Sequence, residues 1–111
     1  MKKMTDKQLQ NEFFMLNERF FDDKLPYIEV QFGGNLPGTD GHFNMIKNEI
    51  RLSPGLKSFP SLMNIVLLHE MAHARMALLD YRGYPCDGGH GGLFQVELDR
   101  IYRAGGYDGL L

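Results

Sequence analysis

Within the heptapeptide LLHEMAH, residues 67–73, His69, Glu70 and His73 stand in the order His-Glu-x-x-His. On a helix, positions i and i+4 lie one above the other, so His69 and His73 point the same way. Two imidazoles so placed can reach one tetrahedral Zn²⁺ at ~2.0–2.1 Å. Glu70 follows about 100° round the helix, where it can lean over the metal without ligating it. There it can take a proton from metal-bound water, whose pKa the metal lowers to about 7, the general-base role of metalloproteases. In a chain with 4 histidines, chance produces this pattern only ~0.01 times. The competing reading makes His69 and His73 core residues on the stripe Leu62, Ile65, Val66 and Met76. That buries two imidazoles and a carboxylate together, which is costly unless they are paired or metal-bound. The metal reading is preferred.

A catalytic zinc usually takes three protein ligands and keeps one position for water. Metzincin spacing requires glycine and histidine where this chain has Met76 and Leu79. Two third ligands remain open. Glu97 is the only downstream glutamate. His90 lies in Gly89-His90-Gly91-Gly92, where glycines permit close backbone approach, and it is the favoured candidate.

The elements that must position these groups are readable in outline. Thr5-Asp6-Lys7-Gln8 has the capping-box pattern, and Leu9, Phe13, Leu16 and Phe20 recur at helical spacing, which predicts a helix over about 5–21. Asp22-Asp23 and Pro26 end it. Tyr27 to Phe32 alternates apolar and polar residues as a half-buried strand does. After a turn-rich loop over 33–41, a hairpin is predicted over about 42–53, with Lys47-Asn48 between its arms. Ser58-Phe59-Pro60-Ser61 offers hydroxyl caps and a first-turn proline. The sequence is then apolar nearly all round to about Leu79, as in a buried helix. Phe94, Leu98 and Ile101 mark a last amphipathic helix stopped by Gly105-Gly106. Helices packed on a small three-stranded sheet make an α+β fold, expected as one domain over residues 1–111.

The totals restrict the function classes. With 12 basic against 14 acidic residues, a net charge of −2 does not support holding DNA by bulk electrostatics. The single cysteine, Cys86, forms no internal disulfide and fits a reducing cytosol. The N-terminal residues lack a signal-peptide pattern, and no run nears the ~20 apolar residues of a membrane span. A soluble, cytoplasmic protein with no membrane partner is expected.

His-Glu-Met-Ala-His followed by Gly89-His90-Gly91-Gly92-Leu93-Phe94 resembles the SprT-like zinc metallopeptidase family, that of SprT and Spartan, in a minimal form. Upstream, Asn17-Glu18-Arg19-Phe20-Phe21, Leu25-Pro26, the strand, a Gly41-containing segment and Asn48-Glu49-Ile50-Arg51-Leu52-Ser53 follow in the family's order. The resemblance covers about residues 8–103. It implies zinc on His69, His73 and His90, one ion per chain, with Glu70 as the catalytic base. It also implies a zincin-like minimal protease domain whose strand edge beside the metal pairs with an extended peptide; segment 42–46 is the candidate edge. Many members carry a zinc ribbon or DNA-binding tail. With one cysteine and no conspicuous basic run here, DNA dependence is not implied.

The function expected is a zinc endopeptidase acting on protein or peptide substrates, DNA-associated proteins among them, through water activated by zinc and Glu70. The alternative is a non-catalytic, metal-containing module that recognises a protein or nucleic-acid partner; an intact Glu70 argues against it. Of the remaining polar residues, Glu97 is read as a solvated or supporting carboxylate, and Asp87 as a turn residue. Cys86 is read as an inert thiol, and Arg51, Arg75, Arg82, Arg100 and Arg103 as mostly solvated. His42 could touch substrate. Tyr81, Tyr84, Tyr102 and Tyr107 are open candidates for an oxyanion donor.

Overall fold

The structure is a computed structural model that describes residues 4–34, 40–77 and 92–105. Helix α1 spans Asp6–Phe21. Its capping box forms as the sequence predicts: the Gln8 amide donates to the Thr5 hydroxyl at 3.1 Å, and the Thr5 amide donates to the Gln8 side-chain oxygen at 2.9 Å. Leu9, Phe13, Leu16 and Phe20 are buried, as their spacing requires. Asp22 and Asp23 take left-handed conformations and turn the chain. Asn17, inside the helix, fastens the returning segment: its amide donates to the Leu25 carbonyl and its oxygen accepts the Leu25 amide.

Strands β1 (Glu29–Phe32), β2 (Gly41–Asn44) and β3 (Glu49–Leu52) form one sheet in the order β1-β3-β2. The predicted hairpin is β2–β3, antiparallel, turning through Met45 to Asn48, and β1 joins β3 in parallel. β1 is two residues shorter than its alternation suggests. Tyr27 is exposed, and its carbonyl accepts from Asn48 at the hairpin turn instead of from a strand. On the outer side of β1, α1 supplies the partners that a further strand would. Gln10 bonds the Ile28 carbonyl and the Val30 amide, and Asp6 accepts the Phe32 amide.

A 3₁₀ turn over Pro54–Ser58 follows β3, capped by Ser53. The sequence assigned Ser58 to the start of the next helix; instead Ser58 completes this turn, and Phe59 stands at the cap of α2 without a side-chain bond. Helix α2 spans Pro60–Arg75 and widens by a turn at Met76–Ala77; residues 78 and 79 of the predicted helix lie outside those described. Contrary to an all-round buried helix, α2 is two-sided. Met63, Leu67, Leu68, Met71 and Ala74 are in the core, whereas Leu62 is 47% exposed. Helix α3, Gly92–Arg103, packs Ile101 and Leu98 on that core, and Gly105 with positive φ closes it. No described helix is long and apolar enough to cross a membrane.

Candidate metal centre and active site

The core side of α2 is fixed by apolar packing, and that rotation sets where its polar residues go. His69 and His73 come out half-buried on one face, ring centroids 5.0 Å apart and planes 74° apart. Two imidazoles on one tetrahedral ion at ~2.0–2.1 Å have centroids roughly 5 Å apart, so the pair as placed fits a shared metal.

Glu70 is 6% exposed, at the contact between α2 and β2. The Ser53 amide donates to the Asp40 carbonyl at 2.8 Å. The alternation of an antiparallel ladder therefore turns the backbone groups of Gly41 and Phe43 away from β3. The Phe43 amide goes to the Glu70 carboxylate. Burial raises that carboxyl from 4.5 to about 7, with the Phe43 N–H pulling the other way.

β2 comes this close only because Gly41 has no side chain. A Cβ there would stand 2.9 Å from Val66 Cγ1, 3.0 Å from Leu52 Cδ2 and 3.2 Å from Glu70 Cγ. Between strand and helix lies a cleft of about 230 Å³, lined by Asp40, Gly41, Ile65, Val66, His69 and Glu70.

A family model described as the SprT-like family matches residues 9–108 of this sequence. The chain belongs to the SprT-like family. No curated protein matches it. Membership associates the chain with metalloprotease-like proteins, and in this SprT-like chain His69 and Glu70 line the cleft, with the His73 ring against that of His69.

His90, the expected third ligand, lies outside the described residues, as do Cys86, Asp87, Arg82, Tyr81, Tyr84 and Tyr107. Among the described residues no three His, Cys, Asp or Glu side chains gather as a metal site. His42 is exposed on β2, paired in register with Arg51, and Tyr102 is exposed on α3.

Of the two readings of Glu97, solvated or supporting, its burial excludes the first. It is 3% exposed and not solvated, with one carboxylate oxygen 3.3 Å from Arg75 and the other 2.5 Å from Arg100. Arg75, read as solvated, is thus the link between the end of α2 and α3. Because both oxygens are engaged by guanidinium groups, Glu97 is the weaker of the two third-ligand candidates. Removing it would leave two cations beside the core. Glu97→Ala is expected to cost about 3 kcal/mol in urea unfolding while leaving the metal content unchanged. Metal loss at full stability would instead make Glu97 a ligand.

Sequence reasoning did not pick out Gly41, the Phe43 amide or the cleft walls Asp40, Ile65 and Val66 as parts of the site. A glycine opening an alternating strand was the available signal for the first. A backbone N–H leaves no signal in residue type.

Proposed function

We propose that this SprT-like chain is a zinc-dependent endopeptidase with a zincin-like minimal fold, cutting protein substrates held in extended form at β2. The observation that carries the reading is Glu70, a buried carboxylate beside two convergent imidazoles, facing a cleft and tied to the outer strand of the sheet. Nothing in a purely structural helix requires a carboxylate at that point, and its burial there is costly.

His69 and His73 would hold the metal, with His90 completing the set. When bound, zinc supplies Lewis-acid chemistry toward a carbonyl and toward water. An extended peptide lying along β2 would be held through its main chain, which is indifferent to side-chain identity and suits unfolded protein. Glu70 takes the proton of the attacking water on a carboxylate oxygen and then passes it to the leaving amide nitrogen. Burial lifts its proton affinity toward neutrality, so it can both accept and release. The Phe43 N–H fixes the carboxylate toward the strand where the peptide lies.

The test is metal content measured with cleavage of an unfolded protein, with and without DNA. About one zinc per chain is expected. His69→Ala, His73→Ala and His90→Ala should each lose metal and activity together. A purified protein free of metal that cannot be loaded with zinc would sink the reading. Full metal retention by His90→Ala would remove His90 from the ligand set.

A further inference from the structure

Just past His73 the hydrogen-bond ladder of α2 changes. The Met76 amide is shared between the Ala72 and His73 carbonyls, and the helix widens at Met76–Ala77. A widened turn restrains the preceding residues less than a continuing helix does. This end of α2 is held instead by a cluster of side chains. Arg75, two residues past His73, lies 3.3 Å from one oxygen of Glu97 on α3. The other oxygen takes two nitrogens of Arg100, at 3.0 and 2.5 Å. The Arg100 guanidinium in turn sits 5.2 Å over the ring of Phe21, the fully buried last residue of α1. Three helices are thus tied together at one carboxylate.

Stability does not account for that choice of residues. A buried carboxylate between guanidinium groups loses in desolvation much of what it gains in attraction, and apolar residues of similar volume often hold a core as well or better. Leu98 and Ile101 already pack α3 on the core. What apolar surfaces do not fix is registry, because they can slide on one another where hydrogen-bonded charges cannot. Registry matters at this point. A rotation of α2 by ~10° moves a side-chain tip ~6 Å from its axis by ~1 Å. His69 and His73 would travel together and keep their relation. Glu70 would shift against Phe43 on β2, although a reacting group must be held within about 0.5 Å.

We infer that Glu97 is a positioning residue. Through Arg75 it sets the rotation of the histidine-bearing end of α2 against the sheet, and with it the aim of Glu70 across the cleft. Arg100, backed by Phe21, holds the carboxylate from its far side. The inference rests on the peptidase reading above, and in this role Glu97 touches neither metal nor substrate.

The experiment uses Glu97→Gln and Arg75→Lys in the full chain. The first keeps the size of the side chain and loses its charge; the second keeps the charge and loses the fork of donors. Each should lower kcat at least about tenfold, since a displacement of ~1 Å costs up to about a hundredfold, with KM within about twofold. Each should still hold about one zinc per chain. In metal-free protein the Phe43 amide proton should move upfield as its bond to Glu70 loosens. Leu9→Ala is the control for stability alone. It empties a fully buried position on the first half of α1 and should lower Tm at least as far, while kcat and the Phe43 resonance stay in place. Parental kcat with an unmoved Phe43 resonance in either cluster variant would overturn the assignment. So would equal losses in Leu9→Ala. Loss of zinc from Glu97→Gln alone would make Glu97 a ligand and overturn it too. If the resonance moves but wild-type protein cleaves nothing, the positioning role stands and the peptidase reading fails alone.

Discussion

Glu70→Gln is expected to lower peptide hydrolysis by at least about a thousandfold, within the range for loss of a general base, while the metal-free protein becomes less sensitive to alkaline pH. Glutamine keeps the shape of the side chain and an oxygen for the Phe43 amide, but it cannot hold and return the proton. The stability effect follows from burial. The folded-state pKa is raised from 4.5 to about 7, so between those values the folded chain binds more protons than the unfolded one. Stability from this group is fully present below 4.5 and is lost as pH rises through 7. The loss is on the order of 3 kcal/mol. In chelator, urea unfolding of wild type and Glu70→Gln at pH 5 and pH 8 should show the variant gaining on wild type at the higher pH. Titrations away from this site cancel between the two proteins. A pH-independent difference would mean that Glu70 ionises as it does in water. Undiminished cleavage would remove it as the base.

Gly41→Ala should cripple the protein although it adds one methyl group to an ordinary strand conformation. The contacts of 2.9, 3.0 and 3.2 Å to Val66, Leu52 and Glu70 leave no room for that group. Overpacking of this kind costs about 1–3 kcal/mol. The larger effect falls on catalysis, because the cheapest relief is for β2 to back away from α2. That lengthens the Phe43 bond to Glu70 and widens the cleft. Cleavage should fall at least tenfold further than the loss of folded protein explains. Gly55→Ala is the control: its new Cβ would meet only the Ser53 hydroxyl at 3.6 Å, and it should be nearly silent. Val66→Ala in the Gly41→Ala background should recover part of the stability, a coupling that a double-mutant cycle measures. Normal activity in Gly41→Ala would show that the closeness of strand and helix is not needed.

Much of this arrangement was legible where local chemistry decides it. Thr5 and Gln8 announce their capping box because both partners lie within one turn. The stripe from Leu9 to Phe20 and the β2–β3 hairpin follow from spacing alone. His69, Glu70 and His73 are recognisable because helical geometry fixes their relation whatever the rest of the chain does. The misses concern which surface covers which. Periodicity marked Leu62 as apolar, but whether a neighbour buries it depends on the path of the chain. Glu97 and Arg75 are 22 residues apart in sequence, and only the packing of α3 on α2 makes them partners. Tyr27 alternates like a strand residue, yet the parallel register of β1 on β3 starts at Glu29. Gly41 could be called a turn residue or a close-approach residue until the helix beside it was in place.

Gln10 and Asp6 engage the Ile28 carbonyl and the Val30 and Phe32 amides on the outer side of β1, so side chains of α1 stand where another strand would add. A neighbouring chain could pair there only by first stripping those hydrogen bonds, which makes that edge a poor template for aggregation.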